Sequence, residues 1–316
     1  MPNGFWADRG YKLVRRVYNS LHDPVTEPGW RNRTISNHND GRLERCAIAI
    51  MAKAPSAGRV KSRLSPLLSP QDAMDLGRCF LSDMTANLAR VAQEARVDPF
   101  IAFAPAGSEA AFEAIVAPGT GFVLADGSRP APAGVVGLGL CLLQAAASLF
   151  DAGYGAVALL NADSPTLPTS RLLEAARLLL MPRDRVVIGP SFDGGYYLIG
   201  MRRAYAELFH GIDWSTEQVA EQTRQRALGH GLEVLDLEAW YDVDDAHSLQ
   251  WLLHELALDR AAHPASAYPA PATRAFLEQN ALAVRLATHG VTIMPAPADG
   301  SRPHSLQNLD AAKSSG

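Results

Sequence analysis

Between residues 45 and 260 short apolar runs alternate with longer stretches whose apolar residues recur at helical spacing, and this alternation constrains the fold more than any other feature. Strands buried on both faces read as continuous apolar runs, and helical crossovers between them make a sheet largely parallel. The expected fold class is therefore α/β, a mostly parallel sheet with helices on both faces. CAIAIM at 46–51 predicts the first strand, PFIAFAP at 99–105 the second, GFVLAD at 121–126 the third and AVALL at 156–160 a fully buried fourth. RVVIGP at 185–190, YYLIG at 196–200 and LEVLDL at 232–237 continue the series. Ser69, Pro70 and Asp72 have the order of an N-cap, a first-turn proline and an acidic third residue, which predicts a helix to about Glu94. Further helices are expected over 170–180, from a capping box at Ser215 and Gln218 to Gly229, and over 246–258.

Residues 131–150 carry no charge, about the length needed to cross a bilayer. They contain Gly134, Gly137, Gly139, Gln144 and Ser148 and lack flanking basic clusters, so a buried helix is expected and not a membrane span. The expected organisation is an N-terminal extension over 1–44 with a short helix at 11–18, one domain over 45–260, and an Ala/Pro-rich tail over 261–316. HPASAYPAPA reads as a linker in that tail, and a short helix is expected at 273–288. A net charge of -4 offers no global field for nucleic acid, so any phosphate contact must be local. Three well-separated cysteines, Cys46, Cys79 and Cys141, make no disulfide framework, and with no apolar segment after the basic residues of the N-terminus the expected compartment is the cytoplasm.

Four constellations carry chemistry. The loop after the first strand, MAKAPSAGRVKSRLSP, gathers Lys53, Arg59, Lys61 and Arg63 beside Pro55 and Gly58, with no acidic residue between Glu44 and Asp72. Such a loop at the carboxyl edge of a sheet can surround a polyphosphate, and it can equally be a solvated basic turn; it lacks the spacing of a Walker A loop. Asp163, in NADSPTLP, follows the buried fourth strand, where ligands of open α/β sheets bind, and it could hold a hard divalent cation or shape a turn. In WYDVDD, Asp242 and Asp244 point the same way if the segment is extended and could complete that metal site, while Asp244 could instead cap the following helix. In FDGGYYLIG, Gly194 and Gly195 after Asp193 permit close backbone approach to a ligand, and Tyr196 and Tyr197 suit either a ligand ring or, preferentially, the core.

Taken in order, KAPxxGxxKSRLSP, DSPTLP, GPSFDGGYYLIG, IDWSTEQV and DVDD resemble the bacterial glycosyltransferase-A-like transferases of the radical-SAM/selenodomain-associated type, relatives of 2-phospho-lactate guanylyltransferase and molybdenum cofactor guanylyltransferase. The resemblance spans about residues 45–258 and implies the nucleotide-diphospho-sugar transferase type of sheet. It also implies that Lys53, Lys61 and Arg63, with Pro55 and Gly58 shaping the loop, contact phosphates. The same resemblance implies that Asp163 binds Mg²⁺ or Mn²⁺ with Asp244 or Asp242, and that Asp193, Gly194 and Gly195 face the acceptor. Lys61, Arg63 and Asp163 are then the catalytic candidates. Where such proteins carry a Gly-Asp-Leu-Gly-x-Arg-like segment, this chain has GVVGLGL, without the Asp or the Arg. The expected activity is nucleotidyl transfer from a nucleoside triphosphate to a small acceptor, with glycosyl transfer from a nucleotide-sugar as the alternative and a non-catalytic nucleotide- or partner-binding protein as the third reading.

Overall fold

In the computed structural model, which describes residues 41–56, 61–64, 67–257 and 267–281, the first strand, β1 (Cys46–Lys53), divides its side chains between two cores. Cys46, Ile48 and Ile50 face one apolar cluster, and Ala47 and Ala49 face the other. This is the period of two that a strand covered on both sides must show. Helix α1 (Pro70–Glu94) lays Leu76, Phe80, Met84, Leu88 and Val91 along one buried stripe. The Ser69 hydroxyl accepts a hydrogen bond from the Asp72 amide at 3.1 Å, so the expected cap forms.

Strand β2 (Val97–Ala104), the short helix α2 (Ala110–Glu113), β3 (Gly121–Leu124), α3 (Leu138–Asp151), β4 (Ala156–Leu160) and α4 (Thr169–Leu180) follow. Then come β5 (Arg185–Pro190), β6 (Tyr196–Met201), α5 (Val219–Gly229), β7 (Glu233–Asp236), α6 (Ala246–Ala257) and α7 (Pro271–Gln279). The seven strands form one sheet in the order β3-β2-β1-β4-β6-β5-β7. Every neighbouring pair is parallel except those made by β6, which runs against β4 and β5. Helices α1 and α4 cover one face of the sheet, and α3 and α5 the other.

Three expectations are corrected. Helix α3 begins only at Leu138, because Gly134 and Gly137 adopt φ of 87° and 57° and turn the preceding residues into a loop. Its buried face carries Leu142, Ala145, Ala146 and Leu149, and among the described residues no helix is long and apolar enough to cross a membrane. The capping box at Ser215 does not form: Ser215 has φ of 66°, α5 begins at Val219, and it is the Thr216 hydroxyl that accepts from the Gln218 amide. Part of the segment read as linker and tail is packed. Tyr268 and Ala270 are buried, the Tyr268 amide donates to the Thr166 carbonyl at 2.8 Å, and α7 lies against α1. The helix expected at 273–288 spans Pro271–Gln279 and is closed by Asn280, while residues 282–288 of that expectation and the short helix expected at 11–18 lie outside the described residues.

Candidate functional site

The parallel strands β1 and β4 end side by side, and their carboxyl ends deliver Lys53 and, just beyond, Asp163 to one edge of the sheet. The third part of the site comes from the far edge. After β7 the chain runs back across the ends of the strands: the Leu237 amide bonds the Ile188 carbonyl, Trp240 bonds Pro190, and Val243 bonds Asp163 at 2.8 Å. The Ser164 hydroxyl donates to the Tyr241 carbonyl at 3.0 Å, and the Tyr241 hydroxyl meets Thr166 at 3.1 Å. Behind this crossing, Trp240 stacks on Tyr241, and Tyr241, Phe192 and Trp251 form an aromatic cluster. The segment bearing Asp242 and Asp244 is thereby stitched to the loop bearing Asp163.

Asp244 does not take the helix cap that the sequence left open to it. Asp245, and not Asp244, caps α6, with its Oδ1 accepting from the amides of His247 and Ser248 at 3.0 and 2.8 Å. Asp244 is left to face Lys61. The Lys61 Nζ lies 2.5 Å from Asp163 Oδ1 and 3.2 Å from Asp244 Oδ1, and it donates to the Val243 carbonyl at 2.5 Å. The same ammonium stands 5.1 Å from the centre of the Phe80 ring, a cation–π contact from α1. Only 4% of the Lys61 side chain is exposed.

The electrostatics follow from this crowding. Burial opposes the charge on Lys61, but Asp163 and Asp244 outweigh it and hold the ammonium above its ordinary pKa. Burial raises Asp163 above the usual carboxylate range, Lys61 opposes that, and Asp244 adds to it. Burial first, then the charges of Asp193, Asp244 and Asp163, push the Asp242 carboxyl up to about 8. Asp163 and Asp244 thus meet a buried ammonium at the edge of the sheet, and Asp242 lies near enough to feel their charges and that of Asp193. Among the described residues, no three His, Cys, Asp or Glu side chains stand together as a ready metal cage. A divalent cation fits all the same: Asp163 and Asp244 offer hard oxygens that already converge on one cationic atom, and Mg²⁺ retains several waters and takes one or two carboxylates. The Lys61 ammonium stands in for such a cation.

A cavity of about 360 Å³ opens beside this pair, lined by Lys53, Pro55, Lys61, Arg63, Asp163 and Asp244 and floored by Gly77 and Leu81 of α1. Lys53 and Arg63 are exposed at its mouth. Gly58 and Arg59 lie outside the described residues.

The loop with Asp193 reaches the same edge. The Asp193 Oδ1 accepts from the Gly195 amide at 2.9 Å. Gly194 has a reason of its own: at φ of 87°, a Cβ there would meet the Glu217 carbonyl oxygen at 2.1 Å, and its carbonyl accepts from the Ala220 amide in the first turn of α5. Tyr197 is fully buried and donates to the Glu238 carbonyl at 3.0 Å, so it belongs to the core. Sequence reasoning missed Phe80 and the Val243 carbonyl. Phe80 is one apolar residue in a helical stripe, and a carbonyl carries no sequence signal.

Three comparisons bear on kinship. A family model described as an uncharacterised protein conserved in bacteria, DUF2064, matches residues 87–216, and no curated protein matches the chain. Among solved structures, the synthetase of CMP-2-keto-3-deoxy-manno-octonic acid with CTP aligns at 15% identity over 66% of this chain and 96% of its own, with a TM-score of 0.41. A cytidylyltransferase from Leptospira borgpetersenii aligns at 14% identity over 75% of this chain and 95% of its own, with a TM-score of 0.42. Both values are too low to carry an argument. A protein of Desulfovibrio desulfuricans G20, provisionally assigned as a nucleotide-diphospho-sugar transferase, is 31% identical over 75% of this chain and 96% of its own, with a TM-score of 0.63. Similarity of that extent, on a sheet whose carboxyl edge carries the convergent acidic and basic groups described above, places the two proteins together: this chain belongs to the nucleotide-diphospho-sugar transferase family.

Proposed function

We propose that the chain is a metal-dependent nucleotidyltransferase that joins a nucleoside monophosphate unit from a triphosphate to a small acceptor and releases pyrophosphate. The observation that carries the reading is the meeting of Asp163 and Asp244 on one cationic nitrogen beside a cavity that also presents Lys53 and Arg63. Asp163 and Asp244 would hold Mg²⁺ or Mn²⁺, which supplies charge neutralisation on the phosphate oxygens. Lys53 and Arg63 bind the β- and γ-phosphates at the mouth of the cavity, Lys as a point charge and Arg as a fork, and so stabilise the pyrophosphate that departs. Positioning does the rest, since in-line attack on the α-phosphate by an acceptor oxygen needs no covalent enzyme intermediate. On this reading the Asp193–Gly195 loop, whose carboxylate acts on Asp242, faces the acceptor. The motif resemblance to transferases of the radical-SAM/selenodomain-associated type, themselves relatives of guanylyltransferases, and a cytoplasmic location belong to the same reading.

Glycosyl transfer from a nucleotide-sugar is the second reading, favoured by the assignment of the Desulfovibrio relative. It leaves a diphosphate, for which a basic rim is less needed. Calorimetry with nucleoside triphosphates and the matching diphosphate-sugars, with and without Mg²⁺, separates the two: tighter Mg²⁺-dependent triphosphate binding is the expected result, followed by pyrophosphate in the ³¹P-NMR spectrum once a cell extract supplies acceptor. Tighter diphosphate-sugar binding makes the chain a glycosyltransferase. No binding of either at millimolar concentration removes both readings and leaves a non-catalytic protein.

A further inference from the structure

The arrangement of Lys61 is incompatible with the role that a basic loop residue would play with ligand present. An ammonium has three donors. All three are taken here, by Asp163 Oδ1 at 2.5 Å, Asp244 Oδ1 at 3.2 Å and the Val243 carbonyl at 2.5 Å, so none is left for a phosphate. A divalent cation cannot join this arrangement either. It would need the same two Oδ1 atoms at about 2.1 Å and would then sit against a like charge in a half-buried site.

We infer that Lys61 is an internal counter-ion that neutralises Asp163 and Asp244 until a divalent cation replaces it, and that the displaced ammonium turns into the cavity to meet the nucleotide's phosphates. Metal and nucleotide therefore bind cooperatively through one side chain. The inference rests on the proposal that Asp163 and Asp244 are the cation's ligands and adds what happens to the group already there. Local geometry supports a side chain that swings from an anchored base. Lys61 has φ of 53°, its carbonyl accepts from the Leu64 amide, and Leu64 is wholly buried, so the short 3₁₀ turn Ser62–Leu64 pins the backbone. The 360 Å³ cavity adjoins the ammonium and is lined by Lys53 and Arg63 as well as by Asp163 and Asp244, so once the cation engages both carboxylates the displaced group is left beside two other cations, and a polyanion is what makes the move favourable. Without nucleotide, displacement strands the ammonium near two other cations, and metal alone should bind weakly. Coupling is reciprocal, so nucleotide alone should bind weakly as well.

The test compares the full chain with Lys61→Met, using electron paramagnetic resonance of free Mn²⁺ to read metal affinity with and without an α,β-methylene triphosphate. Lys61→Met should bind Mn²⁺ alone at least about tenfold more tightly than the unaltered chain, because the competing cation is gone. It should bind the triphosphate at least about tenfold more weakly, and the factor by which triphosphate tightens Mn²⁺ binding should shrink. Equal or weaker Mn²⁺ binding by a variant with a native near-ultraviolet circular dichroism spectrum overturns the inference while leaving the proposed function standing. If Lys61→Met does not fold, ¹⁵N-lysine labelling of the unaltered chain decides the matter. The buried Lys61 ammonium should give a protected resonance that moves or disappears at saturating Mg²⁺, and a resonance that stays unchanged at saturation overturns the inference. An unaltered chain that binds neither Mn²⁺ nor triphosphate at millimolar concentration overturns the inference and the proposed function together.

Discussion

At the scale of single residues, the site separates groups that bind ligand from groups that hold other groups in place. Arg63 is exposed at the cavity mouth with no structural ion pair recorded among the described residues, so Arg63→Ala should leave the melting temperature unchanged. Triphosphate binding should weaken by about 1–3 kcal/mol, the range for a charge-assisted bond, as read by calorimetry. Asp163 differs, since it is both an expected metal ligand and the main partner of a buried ammonium. Asp163→Asn keeps the shape and removes the charge a hard cation needs, so the increment in nucleotide affinity produced by Mg²⁺ should vanish while some metal-free binding persists. Asp163 was legible in the sequence because a buried apolar strand ends three residues before it. Asp244 was legible as a type of residue, but its freedom to act depended on Asp245 taking the helix cap, and either could have done so on composition alone.

At the scale of elements, two joints hold the site's frame. The first is between α1 and α7. The buried Asp83 of α1 accepts hydrogen bonds from the Ala272 and Thr273 amides at 3.0 and 2.7 Å, capping the first turn of α7 from a different helix. Asp83→Ala should cost about 1–3 kcal/mol in urea unfolding, since the buried Thr273 amide and the half-buried Ala272 amide lose their acceptor. Its partner is 190 positions away, so nothing near Asp83 in the sequence announces the joint. The second joint is the turn at Gly194, where a side chain would face both an unfavourable φ of 87° and the Glu217 carbonyl. Gly194→Ala should destabilise by more than about 1 kcal/mol and loosen the loop at the start of α5, seen as faster amide exchange at Ala220. A glycine pair in the sequence pointed to close approach. It did not say whether ligand or chain was approaching.

At the scale of the whole molecule, the body extends past the stretch of alternating elements. Tyr268, Ala270, Thr273 and Leu277 are buried against α1 and α6, closing a third apolar cluster beside the sheet. A chain ended after Ala281 should therefore melt within a few degrees of the full chain, whereas one ended after Ala257 should melt lower by about 10 °C or more, at roughly 2–4 °C per kcal/mol for a domain of this size. Equal melting of the two by calorimetry would show that α7 contributes no core. By itself the sequence determined the class of fold, the identity of nearly every strand and helix, the Ser69 cap and the strand end that carries Asp163, because all of these are written in spacings of two to four residues that act through local sterics and local burial. Composition could not locate the start of α3, since an uncharged run looks the same on either side of Gly137. Only the tertiary structure decided that Lys61 lies against Asp244, 183 positions away, rather than in solvent. That contact depends on the sheet order β4-β6-β5-β7, which obliges the chain leaving β7 to cross the strand ends back to Asp163, and on desolvation, which makes a buried ammonium seek every carboxylate the crossing brings within reach.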